Sequence, residues 1–174
     1  GTLEQRGLDV NYMSTMFAVS ALIKFTLKKI QRDFIEVIPA DLGISDSFKI
    51  RKGIMFIPPH TYVRKKLQKA SAYEGFANKE LYEYTKRFFR LAKSLAPKYY
   101  LPLIKKIEIM IKKKRSLSDE MLTLAKRKGW VDKKGKISYK HAKEFGCYYS
   151  EKFEKDLIET KQIVTKIMEE HKKR

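Results

Sequence analysis

The chain has 174 residues, a formal net charge of +19 and one cysteine, with 43% hydrophobic and 12% aromatic residues. That length holds one good core plus a minor module but not two full-sized domains, and the apolar content suffices to fill it. No apolar run approaches the roughly 20 residues a membrane-crossing helix needs, and a lone cysteine excludes an internal disulfide framework or a multi-cysteine zinc site, so a soluble cytoplasmic protein is expected.

Residues 1–12 lack the apolar stretch of a signal peptide and read as a leader or appended segment outside the fold. Ser14 to Lys29 reads as helix at its start and extended chain later. Ile35-Glu36-Val37-Ile38-Pro39 is rich in β-branched residues and predicts a short strand closed by Pro39. Ser47 to Ile50 and Gly53 to Ile57 predict two more strands, reversed at Arg51-Lys52-Gly53. Pro58-Pro59 then stops the sheet, since neither can donate to a ladder, and Pro59 opens a helix through Tyr62, Val63 and Leu67. Residues 13–72 therefore form a small β-rich module.

Around Gly75 the helical period is lost, which places a linker between Ala70 and Ala77. Residues 73–174 are expected to be a helical bundle domain, making the fold mainly α with a small N-terminal α+β module. Asn78 caps a helix striped by Leu81, Tyr84, Phe88, Leu91 and Leu95, ended by Pro97. A second helix carries Tyr100, Leu103, Ile104, Ile107, Met110 and Ile111. Its tail, Lys112-Lys113-Lys114-Arg115, lies where a helix end presents unpaired carbonyls. Ser118 is read as the cap of a third helix ending at Gly129, with Trp130 plugging the corner and Asp132 to Lys136 forming a polar turn. The last helical region starts near Ser138, is expected to break at Gly146, and then sets out a long amphipathic helix with Tyr149, Phe153, Leu157, Val164, Ile167 and Met168, of which 153, 157, 164 and 168 are spaced as a bundle seam. Ile158 and Ile163 fall off that seam. Cys147 reads as a small buried hydrophobe.

Charge is uneven. Residues 1–57 hold 8 Lys/Arg against 6 Asp/Glu, whereas residues 58–174 hold 31 against 14. Such a field draws nucleic acid or acidic proteins, although a lysine-rich solvated surface would look the same in sequence.

The Ile35 to Pro39 strand, the Gly53 to Pro58 strand leading into a helix, and Pro97-Lys98-Tyr99-Tyr100-Leu101 opening another together resemble the GINS family of DNA replication. Their order is similar to the Psf-two/Psf-three class, whose β-rich B domain precedes a helical A domain, over roughly residues 17–170. One departure is Pro58-Pro59-His60, where relatives commonly have Pro-Leu-Trp; Tyr62 is the substitute packing aromatic. The resemblance implies a non-catalytic subunit that joins a related second subunit in a 2:2 tetramer. It also implies contact with the MCM helicase, a RecJ-like protein and primase, and a nucleoid-associated location, or a nuclear one in a eukaryote. The expected interface residues are Phe88, Phe89, Tyr99, Tyr100, Phe153, Leu157 and Val164, each of which could equally be intramolecular core.

Enzyme chemistry finds no support in the residue pattern. His60, His141 and His171 are isolated, no Walker or dinucleotide loop occurs, and Asp119-Glu120 and Glu169-Glu170 diverge on their helices, so no catalytic residue, metal or cofactor is assigned. The alternative is a basic helical nucleic-acid binder, such as a viral coat protein or primase accessory subunit. In it Lys112, Lys113, Lys114, Arg115, Lys126, Arg127, Lys128, Lys133, Lys134 and Lys136 would track the phosphates of DNA, with Trp130 stacking on a base. A third reading makes the C-terminal helix a homodimerisation device.

Overall fold

The computed structural model describes residues 12–173, so the segment read as a leader lies almost wholly outside them. The fold is mainly α with a small three-stranded sheet near its start. Helix α1 (Met13–Arg32) comes first and is continuous, correcting the expected change to extended chain. The alternation of Ile23, Phe25 and Leu27 imitates a strand, but Ala18, Ala21 and Leu22 form a small-residue stripe that is buried at helical spacing. Packing of that stripe overrides the local preference.

Strands β1 (Glu36–Pro39), β2 (Ile50–Arg51) and β3 (Ile54–Ile57) lie in the order β1-β3-β2. β1 runs parallel to β3 with Val37 opposite Met55, and β2 runs antiparallel to β3. Lys52 and Gly53 both have positive φ, 50° and 78°, as a tight two-residue reversal of right-handed twist demands. Met55 and Ile35 are the buried residues beneath this sheet. Phe48, itself at φ 62°, sets its ring edge-on to Tyr84 and Phe88 at 5.1 and 5.5 Å, fastening the module to the following bundle. Burial pushes the Tyr84 phenol upward.

Pro59 leads into α2 (His60–Tyr62), a π-helical stretch Val63–Leu67 and α3 (Gln68–Tyr73) without interruption. The expected linker therefore shrinks to the turn around Gly75–Ala77, where Phe76 packs on the core. α4 (Lys79–Leu95) is capped by Asn78, whose side chain accepts from the Leu81 amide at 2.9 Å. α5 (Leu101–Lys113) tolerates Pro102 in its first turn and ends on Lys114 in a left-handed conformation. α6 (Leu117–Arg127) starts earlier than expected, capped by Ser116 rather than Ser118. Only Ser116 has an acid three residues on, and Ser116 with Asp119 closes a reciprocal capping box.

α7 (Tyr139–Lys172) is a single helix of 34 residues, capped by Ser138 and unbroken at Gly146. Phe145, Tyr148 and Tyr149 are held on either side of that glycine by packing around Trp130, which outweighs its weak helical preference. A methyl group at Gly146 would meet no atom within 4 Å. Gly146→Ala is therefore expected to stabilise the protein by about 0.5–1 kcal/mol through reduced freedom of the unfolded chain, seen as a higher urea midpoint at unchanged slope. A lower midpoint would show that the helix needs a flexible joint there.

The main core joins Ala18, Ala21 and Leu22 of α1 to Phe89 and Ala92 of α4, Leu103, Ile104 and Ile111 of α5, and Ile167 of α7. α1 thus packs with the helices that follow the sheet, so α1 and residues 73–174 share one interior. A second cluster, Leu124, Ala125 and Trp130 with Val131, Phe145, Tyr148 and Tyr149, closes the α6 end on α7.

Candidate assembly surface

The long helix sorts its side chains into two neighbouring rows. Asp156, Thr160 and Ile167 are buried, and Ile163 packs beside them, so the core-facing row runs 156-160-163-167. Ile167, expected on the apolar stripe, does face the core, but Ile163, which the sequence reading set aside, packs there too, while the expected seam of Phe153, Leu157, Val164 and Met168 is the neighbouring row. Both rows have three- and four-residue steps, so spacing alone could not choose between them. The inward row escapes sequence reasoning because it contains Asp156 and Thr160, which look like surface residues.

Asp156 is made an interior residue by its partners. Its Oδ2 accepts from the Ser14 amide at 2.9 Å, its Oδ1 from the Ser14 hydroxyl at 2.5 Å, and it pairs with Lys106 of α5. α1 has no acid in its own first turn, so α7 supplies the negative charge that complements the start of α1. Burial works against ionisation, but hydrogen bonds from Lys106 and Ser14 outweigh it and hold the carboxyl below its ordinary range. Nearby, Tyr12 is pushed up to about 12, first by burial and then by Tyr149 and Asp156.

The outward row is left open by the described residues. Phe153 is 41% exposed, Leu157 42% and Met168 56%, Val164 is half-buried, and Ile158 is exposed to one side. Scattered apolar residues on a surface mean little, but a row along about four turns of one helix is a candidate interaction face. The other expected interface residues lie elsewhere. Phe89 is 6% exposed and belongs to the core, which removes it as an interface residue. Phe88, Tyr99 and Tyr100 are half-buried against that core, with Tyr100 edge-on to Phe25 at 4.8 Å.

Tyr62 lines, with Pro58 and Pro59, a cavity of about 500 Å³ between the 40–45 loop and α4. Its hydroxyl donates to Glu80 at 2.8 Å, and burial followed by that carboxylate pushes its pKa up to about 12.

The expected phosphate-contacting residues divide in two. Lys112 pairs with Glu108 at 2.9 Å, and Lys114 lies over the Tyr82 ring at 4.6 Å. Lys113, Arg115, Lys126, Arg127, Lys128, Lys133, Lys134 and Lys136 are exposed. Trp130 does not stand ready to stack on a base: it is 7% exposed, and its indole donates to Glu144 at 2.8 Å. Sequence reasoning misses Tyr139, whose ring is 91% exposed immediately after this basic stretch. Cys147, read as buried, is exposed on α7. Its neighbours Phe145 and Tyr148 take the inward positions instead.

Among the described residues no group of His, Cys, Asp and Glu has the grouping to hold a metal, and no helix is long and apolar enough to cross a membrane. No protein-family model matches the chain, and no curated protein or solved structure is significantly similar to it.

Proposed function

We propose that this chain is a non-catalytic assembly subunit of the GINS type, holding larger replication machinery together through α7. The observation that carries this reading is the uncovered apolar row Phe153, Leu157 and Met168 beside the core-facing row. The strand, Pro58-Pro59 and helix order ahead of a helical body supports the same reading. A net charge of +19 opposes self-association and favours an acidic, non-identical partner. On this reading the partner is a related second subunit in a 2:2 tetramer. That tetramer would engage the MCM helicase, a RecJ-like protein and primase in the cytoplasm near the nucleoid, acting by stabilising one arrangement of the helicase assembly.

Co-expression with an acidic GINS-type subunit, with mass measured by light scattering, tests the proposal. A 2:2 complex is expected. Phe153→Glu with Leu157→Glu is expected to weaken it at least about 30-fold while leaving circular dichroism unchanged. A chain that stays monomeric beside the partner, or a complex indifferent to both substitutions, would overturn the reading.

A further inference from the structure

The end of the molecule built from the C-terminus of α6, the turn at 132–136 and the first turns of α7 gathers cations around one fixed turn. Residues 113–143 carry 11 Lys/Arg against 3 Asp/Glu. Elsewhere several cations are paired with acids: Lys29 with Asp33, Lys49 with Asp46, Lys66 with Glu80, Lys93 with Glu108, Lys106 with Asp156. Among the described residues no ion pair forms between residues 113 and 155.

The acids in and beside that stretch are engaged elsewhere. Asp119 closes the α6 capping box, Asp132 accepts from the Lys134 and Lys136 amides at 2.8 Å each, and Glu144 holds the Trp130 indole. Glu120 lies toward Tyr12 and Tyr149, whose phenols its charge helps to push upward. Asp119, Asp132 and Glu144 build the frame and pair with none of the cations here, of which Lys114 alone rests on a ring, that of Tyr82. The frame itself is fixed. Val131 bridges Ile137, the Gly135 amide closes on the Asp132 carbonyl at 3.0 Å, and Trp130 locks the turn to Phe145 and Tyr148 of α7. Lys133 and Lys134 are thereby held at the turn's tip, with Lys126, Arg127 and Lys128 at the adjoining helix end. Tyr139, 91% exposed, stands just beyond Lys136 and just before Lys140.

We infer that this end binds single-stranded nucleic acid, the lysines tracking phosphates and the Tyr139 ring stacking on a base. A generic solvated lysine surface does not require the lysines to be gathered on one fixed turn and helix end with an exposed ring directly beside them. An acidic protein would satisfy the charge but has no base to place on Tyr139, whereas alternating phosphates and flat bases match alternating ammonium groups and a ring. This inference is independent of the assembly role and involves different residues.

The test uses the full chain and a fluorescent oligo-dT, with anisotropy read across a salt series. The wild type is expected to bind with a steep log K against log salt slope. Lys133→Ala, Lys134→Ala and Lys136→Ala together should flatten that slope by about 2, at roughly 0.7 for each phosphate no longer neutralised. Tyr139→Ala should weaken binding about tenfold and Tyr139→Phe should not, because the ring rather than the hydroxyl stacks. Circular dichroism identical to wild type in each variant keeps the comparison valid, and Tyr139, being exposed, carries no packing to lose. Three outcomes would overturn the inference: no binding, a slope unaltered by the triple variant, or equal affinity of Tyr139→Ala and wild type. Displacement of the oligonucleotide by polyglutamate at equal charge would do so as well, by pointing to an acidic protein, and a preference for duplex over oligo-dT would exclude the stacking role.

Discussion

Trp130→Ala is expected to remove about 4 kcal/mol from the α6 end of the protein while sparing the main bundle. Deleting a buried tryptophan typically costs about 3–5 kcal/mol in transfer free energy and residual cavity. Here the indole also satisfies Glu144 and sets its ring edge-on to Phe145 and Tyr148, at 5.9 and 6.1 Å. The cluster around it contains no residue of α1, α4 or α5. The loss should therefore register as sub-global opening. Amide exchange across 117–137 is expected to accelerate about a thousandfold, the equivalent of roughly 4 kcal/mol at 1.4 kcal/mol per factor of ten. Protection in α1 and α4 should change little. Equal acceleration in all three helices would show that the two clusters open as one unit.

Asp156→Ala is expected to destabilise the whole fold by about 3 kcal/mol. The carboxylate accepts from both the amide and hydroxyl of Ser14, and hydrogen bonds to a charged group contribute about 1.5–3 kcal/mol. Lys106 is 45% exposed in its side chain, so its ammonium regains water when the carboxylate is removed, and the larger part of the loss comes from Ser14. The start of α1 would keep an unpaired amide and lose its compensating negative charge. Urea denaturation followed by circular dichroism should show the midpoint fall at constant slope, and a shift under about 1 kcal/mol would contradict this account. The same interactions fix a pH dependence. Because the folded-state pKa of Asp156 lies below its unfolded value, its contribution is present in full above the ordinary aspartate range, about 4. It is lost as pH falls below that range toward the folded pKa, as the unfolded chain takes up the proton first. The stability difference between wild type and Asp156→Ala should accordingly narrow on acidification and stay constant from about pH 6 to 8.

Much of the fold was legible because several signals are local. Pro58-Pro59, Asn78, Pro97 and Ser138 mark boundaries by what each residue can or cannot hydrogen-bond, and all of them mark boundaries in the structure. What was not legible depends on tertiary partners. α1 looked partly extended until its alanine stripe met α4 and α5, and Gly146 looked like a break until the aromatics beside it closed on Trp130. The inward row of α7 was hidden because an aspartate reads as surface unless one knows that Ser14 and Lys106 reach it from two other helices. Of the expected interface residues, Phe153 and Leu157 lie open on the surface while Phe89 is enclosed, and no periodicity distinguishes these outcomes. The cationic run was plain, whereas the absence of pairing within it required knowing where Asp132 and Glu144 point.

The unbroken course of α7 has a geometric consequence. At about 1.5 Å per residue, the 29 steps from Tyr139 to Met168 place those side chains roughly 44 Å apart along one stiff rod. Any two molecules gripping its opposite ends are thus spaced by a strut, and the gap between them is set by the helix's length.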